Sequence, residues 1–244
     1  MQVGIIGRGT LGGAIAQALD ARAQAPAVIS TTRASARENR ALARASDVLL
    51  LCVKPHDLPP VLREIAPDLR SEQVVVSTAA GVRLDDLRAW SEDRARVVRA
   101  MPNTPARVGR AMTVIASTPQ CDARALGVTR ELFDAIGKTT VLDERLMDAV
   151  TAVSGCGPAY AFTFIEAMID GALALGIPYD DARVLVGQTL LGSAQMLLAS
   201  DAHPGELRHE VATPGGRTIR GLLALEDRGV RAAIARAVIA ASVA

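Results

Sequence analysis

The first residues read QVGIIGRGTLGGAIAQAL, Gln2 to Leu19. A short apolar run, Gln2–Ile6, ends in Gly7-Arg8-Gly9-Thr10-Leu11-Gly12 and passes into a helical pattern from Gly13 to Leu19. Each glycine in that spacing has a physical task. Gly7 permits a tight turn, Gly9 lets a pyrophosphate touch the backbone, and Gly12 lets helix and strand pack closely. The helix start adds free N–H groups and a positive dipole end. Gly7, Gly9, Thr10, Leu11 and Gly12 are therefore the first cofactor-binding candidates. A plain structural turn is the competing reading, and the strand before and helix after weigh against it.

Beyond this turn the pattern repeats. AVIS (Ala27–Ser30), DVLLLCV (Asp47–Val53), QVVVS (Gln73–Ser77), Val97–Ala100 and Met112–Ala116 read as further strands. Ala34–Ala45 and Leu58–Ala66 read as helices between them. Continuous apolar runs rather than strict alternation predict a parallel sheet covered on both faces. From Leu146 onward only helices are expected: Ala159–Leu175, a helix capped by Tyr179 or Asp180 and running through about Ala199, Gly205–Val211, Ile219–Leu225 and Val230–Ala240. The change of texture near Asp143 predicts two domains, 1–143 and 144–244.

Bulk properties narrow the function. Hydrophobic residues make up 50% of the 244, so a packed core is expected, and aromatics only 2%, which leaves no stacking platform for nucleic acid. The formal net charge of +1 offers no field to steer the chain to DNA or a membrane. Cys52, Cys121 and Cys156 are isolated, with no CxxC or Cys/His spacing, so neither disulfide nor metal is expected. No leader pattern opens the chain. The longest apolar stretch, Tyr160–Ile177, holds Glu166 and Asp170 and reads as a buried helix, not a membrane span. A cytoplasmic location is the expectation.

Other residues refine the site. NAD enzymes usually place an acid after the second strand, to hold the ribose 2′-hydroxyl. Here that place reads Ser30-Thr31-Thr32-Arg33. Thr31, Thr32 and Arg33 suit a 2′-phosphate, hence NADPH over NADH; the alternative is an ordinary helix cap and a solvated arginine. Val53 and Lys54 follow the third strand at the edge where ligands bind, and lysine occurs only at Lys54 and Lys138. Lys54 also fits a plain exposed lysine. Ala80, among small residues after the next strand, leaves room for a nicotinamide ring. Ser154-Gly155-Cys156-Gly157 precedes a long helix. Ser154 fits a substrate site and close helix packing equally, and no histidine is placed to make Cys156 a nucleophile.

ATPGGRTIRGL (Ala212–Leu222) holds no histidine, cysteine or carboxylate. Its two adjacent glycines after a proline, with a helix following, would let a ligand approach the backbone along Thr213, Gly215, Gly216, Arg217 and Thr218. A helix cap after a Pro-Gly turn is the alternative.

Together, these blocks resemble the pyrroline-5-carboxylate reductase family. IGRGTLG, VKPH, STAAGV, MPNTP, SGCGPAY and TPGGRTI run in order over nearly the whole chain. The resemblance implies an α/β N-terminal Rossmann-type domain and an all-α C-terminal dimerisation domain. It implies hydride transfer from NAD(P)H to the C=N bond of a cyclic imine, giving L-proline. Thr213 and Thr218 would bind the substrate carboxylate, and the Thr218 hydroxyl would also reach the ring nitrogen as the catalytic contact. A homodimer is implied, and assembly to a decamer in some members.

Two departures stand out. Between Arg33 and Asp47 there is room for one helix only, so a peripheral strand usual in the family is expected to be missing beside the adenosine pocket. The chain also stops at Ala244, earlier than many relatives, so a shortened final helix is expected. A β-hydroxyacid dehydrogenase would need a lysine on the helix after Ser154-Gly155, and no lysine follows Lys138. Another imine reductase, or an NADP-binding sensor without turnover, are the remaining rivals.

Overall fold

The structure is a computed structural model and describes residues 1–21, 27–31, 35–118 and 123–242. Two compact units divide the chain: Met1–Pro158 with the C-terminal end, and Ala159–Ala240.

The first unit carries a seven-stranded sheet in the order β2-β1-β3-β4-β5-β6-β7. The strands are β1 (Gln2–Ile6), β2 (Ala27–Thr31), β3 (Val48–Leu51), β4 (Val74–Ser77), β5 (Arg96–Met101), β6 (Ala111–Ser117) and β7 (Gly137–Val141). Helices α1 (Thr10–Asp20), α2 (Ala36–Ala45), α3 (Leu58–Ile65), α4 (Leu84–Trp90) and α5 (Ala123–Asp134) connect them. The two-residue period of the strands sends alternate side chains to opposite faces. Val3, Ile5, Val48, Leu50, Val74 and Val76 join the cluster with α1 and α5 residues such as Ile15 and Phe133. Leu49, Leu51, Val75 and Val97 join the cluster with Leu42, Leu62 and Leu87 from α2, α3 and α4. Both faces are covered, as the continuous apolar runs require.

The parallel order holds from β2 through β5 and then breaks. β6 runs antiparallel to β5, with Val98 opposite Ser117 and Met101 opposite Val114. The connection 102–110 is too short for a parallel crossover, which takes a dozen or more residues. β7 pairs parallel with β6 through the crossover that contains α5.

Among the described residues, only α2 lies between β2 and β3, so β2 is the sheet's edge strand. α2 starts at Ala36, later than the expected Ala34, because Ser35 caps it. The Ser35 hydroxyl accepts from the Glu38 N–H, and the Glu38 carboxylate accepts from the Ser35 N–H at 2.7 Å. Asp68 fastens the other side of this helix. It accepts from Arg40 Nε at 2.5 Å and Arg44 Nε at 2.7 Å, and these bonds hold its carboxyl down at about 2.

α6 (Met147–Val150) leads into a π-helical turn, Thr151–Gly155, closed by Cys156 N–H to the Thr151 carbonyl at 2.8 Å. The second unit contains α7 (Gly157–Ala174, begun just inside the first unit), α8 (Tyr179–Leu198), α9 (Pro204–Glu210), α10 (Arg217–Asp227) and α11 (Val230–Ala241). α8 is entered from Pro178 with no side-chain cap, so neither Tyr179 nor Asp180 caps it; Asp180 instead faces the positive end of the helix from its first turn. His203 caps α9, its Nδ1 accepting from the Gly205 N–H at 3.0 Å.

One expectation is corrected here. α7 is not a buried helix: Ile169 is its only buried residue, and Phe162 is 66% exposed. The buried centre of the unit is Ile169, Ala182 and Val186, while Leu175, Leu185, Leu198 and Ile239 stay exposed. An exposed apolar patch of this kind marks an interaction face.

Candidate active site

A cavity of about 840 Å³ opens at the carboxyl ends of β1, β2 and β3. It lies where the chain leaves β1 in one direction and β3 in the other, the switch point where such sheets bind ligands. The glycine turn forms its floor. Gly7 has φ +96, and a Cβ there would meet the Cys52 carbonyl oxygen at 2.7 Å. A Cβ on Gly12 would collide with the Gly7 carbonyl oxygen. Gly9 differs, since nothing stands within 4 Å of where its Cβ would be. The space in front of Gly9 and the uncapped start of α1 therefore form a cradle that a phosphate fits.

Of the residues expected to hold a dinucleotide, Gly7, Gly9, Thr10, Leu11, Thr31, Val53, Lys54 and Ala80 line this cavity. Gly12 sits behind it and sets the packing of α1. Thr32 and Arg33 lie outside the described residues. Asn39 also lines the cavity, a residue that the motifs do not single out. It is buried on α2, and the Thr31 hydroxyl donates to its Oδ1 at 3.5 Å. The only hint in the sequence is a polar residue three and four positions before the buried Leu42 and Ala43. Cys52 lines the cavity too, but burial pushes its thiol up to about 11, which leaves it unreactive.

A smaller hollow of about 250 Å³ shares Thr10 and Leu11 with the first and is bounded by Met101, Asn103 and Gly155. Here the structure brings MPNTP and SGCGPAY together. Asn103 Nδ2 donates to the Ser154 carbonyl at 3.1 Å and lies 3.4 Å from its hydroxyl. Its Oδ1 accepts from the Met112 N–H at 3.0 Å. The reason is local. The α-helical partner for the Ser154 carbonyl, four residues on, would be Pro158, which has no N–H. Asn103 supplies a donor to this carbonyl. Asn103→Ala removes partners from both backbone groups, and a loss of about 1–2 kcal/mol of stability is expected. Urea unfolding measures it; an unchanged midpoint would mean that water serves both groups.

The anchor candidates lie together on the second unit. Thr213-Pro214-Gly215-Gly216 form a turn closed by the Gly216 N–H and the Thr213 carbonyl at 3.0 Å. Proline second and a left-handed Gly215 (φ +67) third match a type II turn. Gly216 is the N-cap of the eleven-residue α10 and brings no capping side chain. The N–H groups of Arg217, Thr218 and Ile219 thus point out of the helix start without intrahelical partners. Thr213, Arg217 and Thr218 are exposed, and neither threonine hydroxyl has a hydrogen-bond partner among the described residues. A threonine serving only as a cap would have one.

Comparisons with known proteins bear on both units. Residues 144–244 match the family model for pyrroline-5-carboxylate reductase dimerisation. Residues 2–81 match the model described as NADP oxidoreductase, coenzyme F420-dependent. A pyrroline-5-carboxylate reductase of Methanosarcina acetivorans is 44% identical over 205 residues, covering 84% of this chain and 76% of its own. Pyrroline-5-carboxylate reductase 2 of Bos taurus is 38% identical over 264 residues, covering 100% of this chain and 82% of its own. Among solved structures, a pyrroline-5-carboxylate reductase from Coxiella burnetii aligns with a TM-score of 0.91 at 30% identity, over 98% of this chain and 95% of that one. The Plasmodium falciparum pyrroline carboxylate reductase, solved with NADP bound, aligns with a TM-score of 0.86 at 29% identity, over 99% and 95%. With a glycine-turn cavity at one end of its sequence, the family's dimerisation module at the other and these relatives over most of its length, the chain belongs to the pyrroline-5-carboxylate reductase family.

Proposed function

We propose that the chain reduces the C=N bond of 1-pyrroline-5-carboxylate to give L-proline, with NADPH as the reductant. The observation that carries this reading is the start of α10: free backbone N–H groups and two unpartnered threonine hydroxyls, with no ionisable acid or base in Ala212–Gly216. Such a site suits a substrate that brings its own charge.

When bound, NADPH supplies the hydride. Gly9, Thr10 and Leu11 hold its pyrophosphate, Thr31 and its neighbours Thr32 and Arg33 hold the adenosine end, and Val53, Lys54 and Ala80 border the rest. Gly215, Gly216 and Arg217 anchor the substrate carboxylate through backbone N–H groups and the helix dipole, and Thr213 adds its hydroxyl. Thr218 reaches the ring nitrogen. Ser154, fixed by Asn103, lines the substrate side. An imine nitrogen is basic enough to be partly protonated in neutral water, so the residues need to orient rather than to ionise. Holding two reactants in line lowers a barrier by about 7–11 kcal/mol.

Residues 1–143 serve as the cofactor domain and 144–244 as the substrate and dimerisation domain; the start of the dimerisation match at residue 144 supports that boundary. The exposed apolar faces of α7, α8 and α11 fit a homodimer, and dimers can stack further to a decamer. Glu144–Ala174 is long and apolar enough to cross a bilayer by length and composition. Its place within the dimerisation match favours a protein partner, and a cytoplasmic enzyme, instead. Mixing purified protein with NADPH and pyrroline-5-carboxylate tests the function: substrate-dependent loss of NADPH absorbance is expected. Intact NADPH binding without oxidation would identify a cofactor sensor.

A further inference from the structure

We propose that Arg8, inside the glycine turn, recognises the 2′-phosphate of NADPH in this chain. The inference rests on the reading above and assigns its cofactor preference to a residue at the first variable position of the turn.

The geometry starts from the backbone. The N–H of Arg8 donates to the Thr31 carbonyl at 3.1 Å, as does that of Gly7. This pins the base of the Arg8 side chain to the end of β2, the place where a dinucleotide's adenosine ribose is read in sheets of this order. Arg8 is exposed and lines the cavity together with Thr31 and Asn39. Its guanidinium has no ion pair or side-chain hydrogen bond among the described residues, so it is free to take a ligand. The other cation on the cavity among the described residues, Lys54, follows β3, on the far side of β1 from β2.

The acids tell the same story. NAD enzymes usually hold the ribose with a carboxylate at the end of β2, and Thr31 stands there. Among the described residues Asp57 is the only acid lining the cavity, and it stands at the start of α3, again beyond β1. Near Thr31 the described lining offers an arginine fork, a hydroxyl and an amide, and no negative charge. A phosphate dianion matches that set, and a planar guanidinium binds it with paired, charge-assisted bonds.

Calorimetric titration tests this apart from turnover. Wild type, Arg8→Ala, Arg8→Lys and Arg33→Ala are each titrated with NADPH, NADH, 2′,5′-ADP and 5′-ADP. For Arg8→Ala, affinity for NADPH and 2′,5′-ADP is expected to fall about 10- to 100-fold, with NADH and 5′-ADP unchanged. Arg8→Lys is expected to fall between, keeping the charge and losing the fork. Arg33→Ala, at the adenosine end, is expected to weaken NADPH and NADH by the same factor and so to leave the preference for the 2′-phosphate in place; loss of that preference in Arg33→Ala with its retention in Arg8→Ala overturns the proposal. An Arg8→Ala protein that keeps the wild-type preference overturns the proposal while leaving the reductase reading intact. Equal loss of all four ligands overturns it too, by marking Arg8 as a structural part of the turn. A folded wild type that binds none of the four removes both this proposal and the function it rests on.

Discussion

Gly9→Val is expected to fold normally and to lose NADPH affinity by at least about 100-fold. Both halves follow from one position. Gly9 has φ −77 and ψ −159, an extended conformation that valine adopts freely. Nothing stands within 4 Å of its missing Cβ, so the ligand-free protein accommodates the branched side chain. The occupied space is the cradle in front of α1, and valine there keeps a pyrophosphate off the N–H groups of Thr10 and Leu11. Losing two charge-assisted hydrogen bonds accounts for a loss of that size. Gly12→Val is the contrast. Its Cβ meets the Gly7 carbonyl, so it should lower the melting temperature whether or not cofactor is present. Melting curves and calorimetric titration of the two variants separate the effects. Gly9→Val with wild-type affinity would show that the phosphates lie elsewhere.

Thr218→Ala is expected to lower kcat/KM about 100-fold while the Kd for NADPH changes less than about twofold; removing one preorganised donor at a reacting centre costs roughly 10²–10³ in other enzymes. Thr218 is the second residue of α10, exposed, with its hydroxyl unpartnered among the described residues. Its removal costs the folded chain no internal hydrogen bond, so the melting temperature should hold. Thr218→Ser keeps the hydroxyl and is expected to recover most of the activity. A parallel loss of NADPH affinity in Thr218→Ala would move the residue from the imine to the cofactor.

The sequence announces some of this architecture and hides other parts, for physical reasons. VLLL of β3 and VVVS of β4 are strands buried on both faces, and their shortness and, in β4, the run of valines favour a strand over a buried helix segment. The reversal of β6 is not visible, because a strand's own residues do not record its partner's direction; the length of 102–110 does. β7, GKTTV, escapes reading because it is an edge strand, half-exposed, with Lys138 and two threonines. α4 and α5 carry charges through their patterns and likewise lack a clear signal. α7 misleads in the opposite sense. Its apolar sequence predicts burial, and in one chain its surface is bare; its place within the dimerisation match supports self-association as the source of cover. At the site, the glycine turn and the turn before α10 are legible, since Gly7 (φ +96) and Gly215 (φ +67) hold left-handed backbone that favours glycine. Asn39 and Asn103 are not. Each is a single polar residue that acquires its role from a strand or turn distant in sequence.

Glycine amides and threonine hydroxyls are proposed to suffice for placing a hydride on the imine carbon of 1-pyrroline-5-carboxylate. Turnover with NADPH deuterated at the transferred position of C4, followed by NMR of the product, reads that transfer at the reacting atom. L-Proline with one deuterium on Cδ, the ring carbon beside nitrogen that does not bear the carboxylate, is expected, formed in step with NADPH consumed. Cofactor oxidised without deuterated proline, or no turnover by a protein that binds both ligands, would refute the hydride transfer.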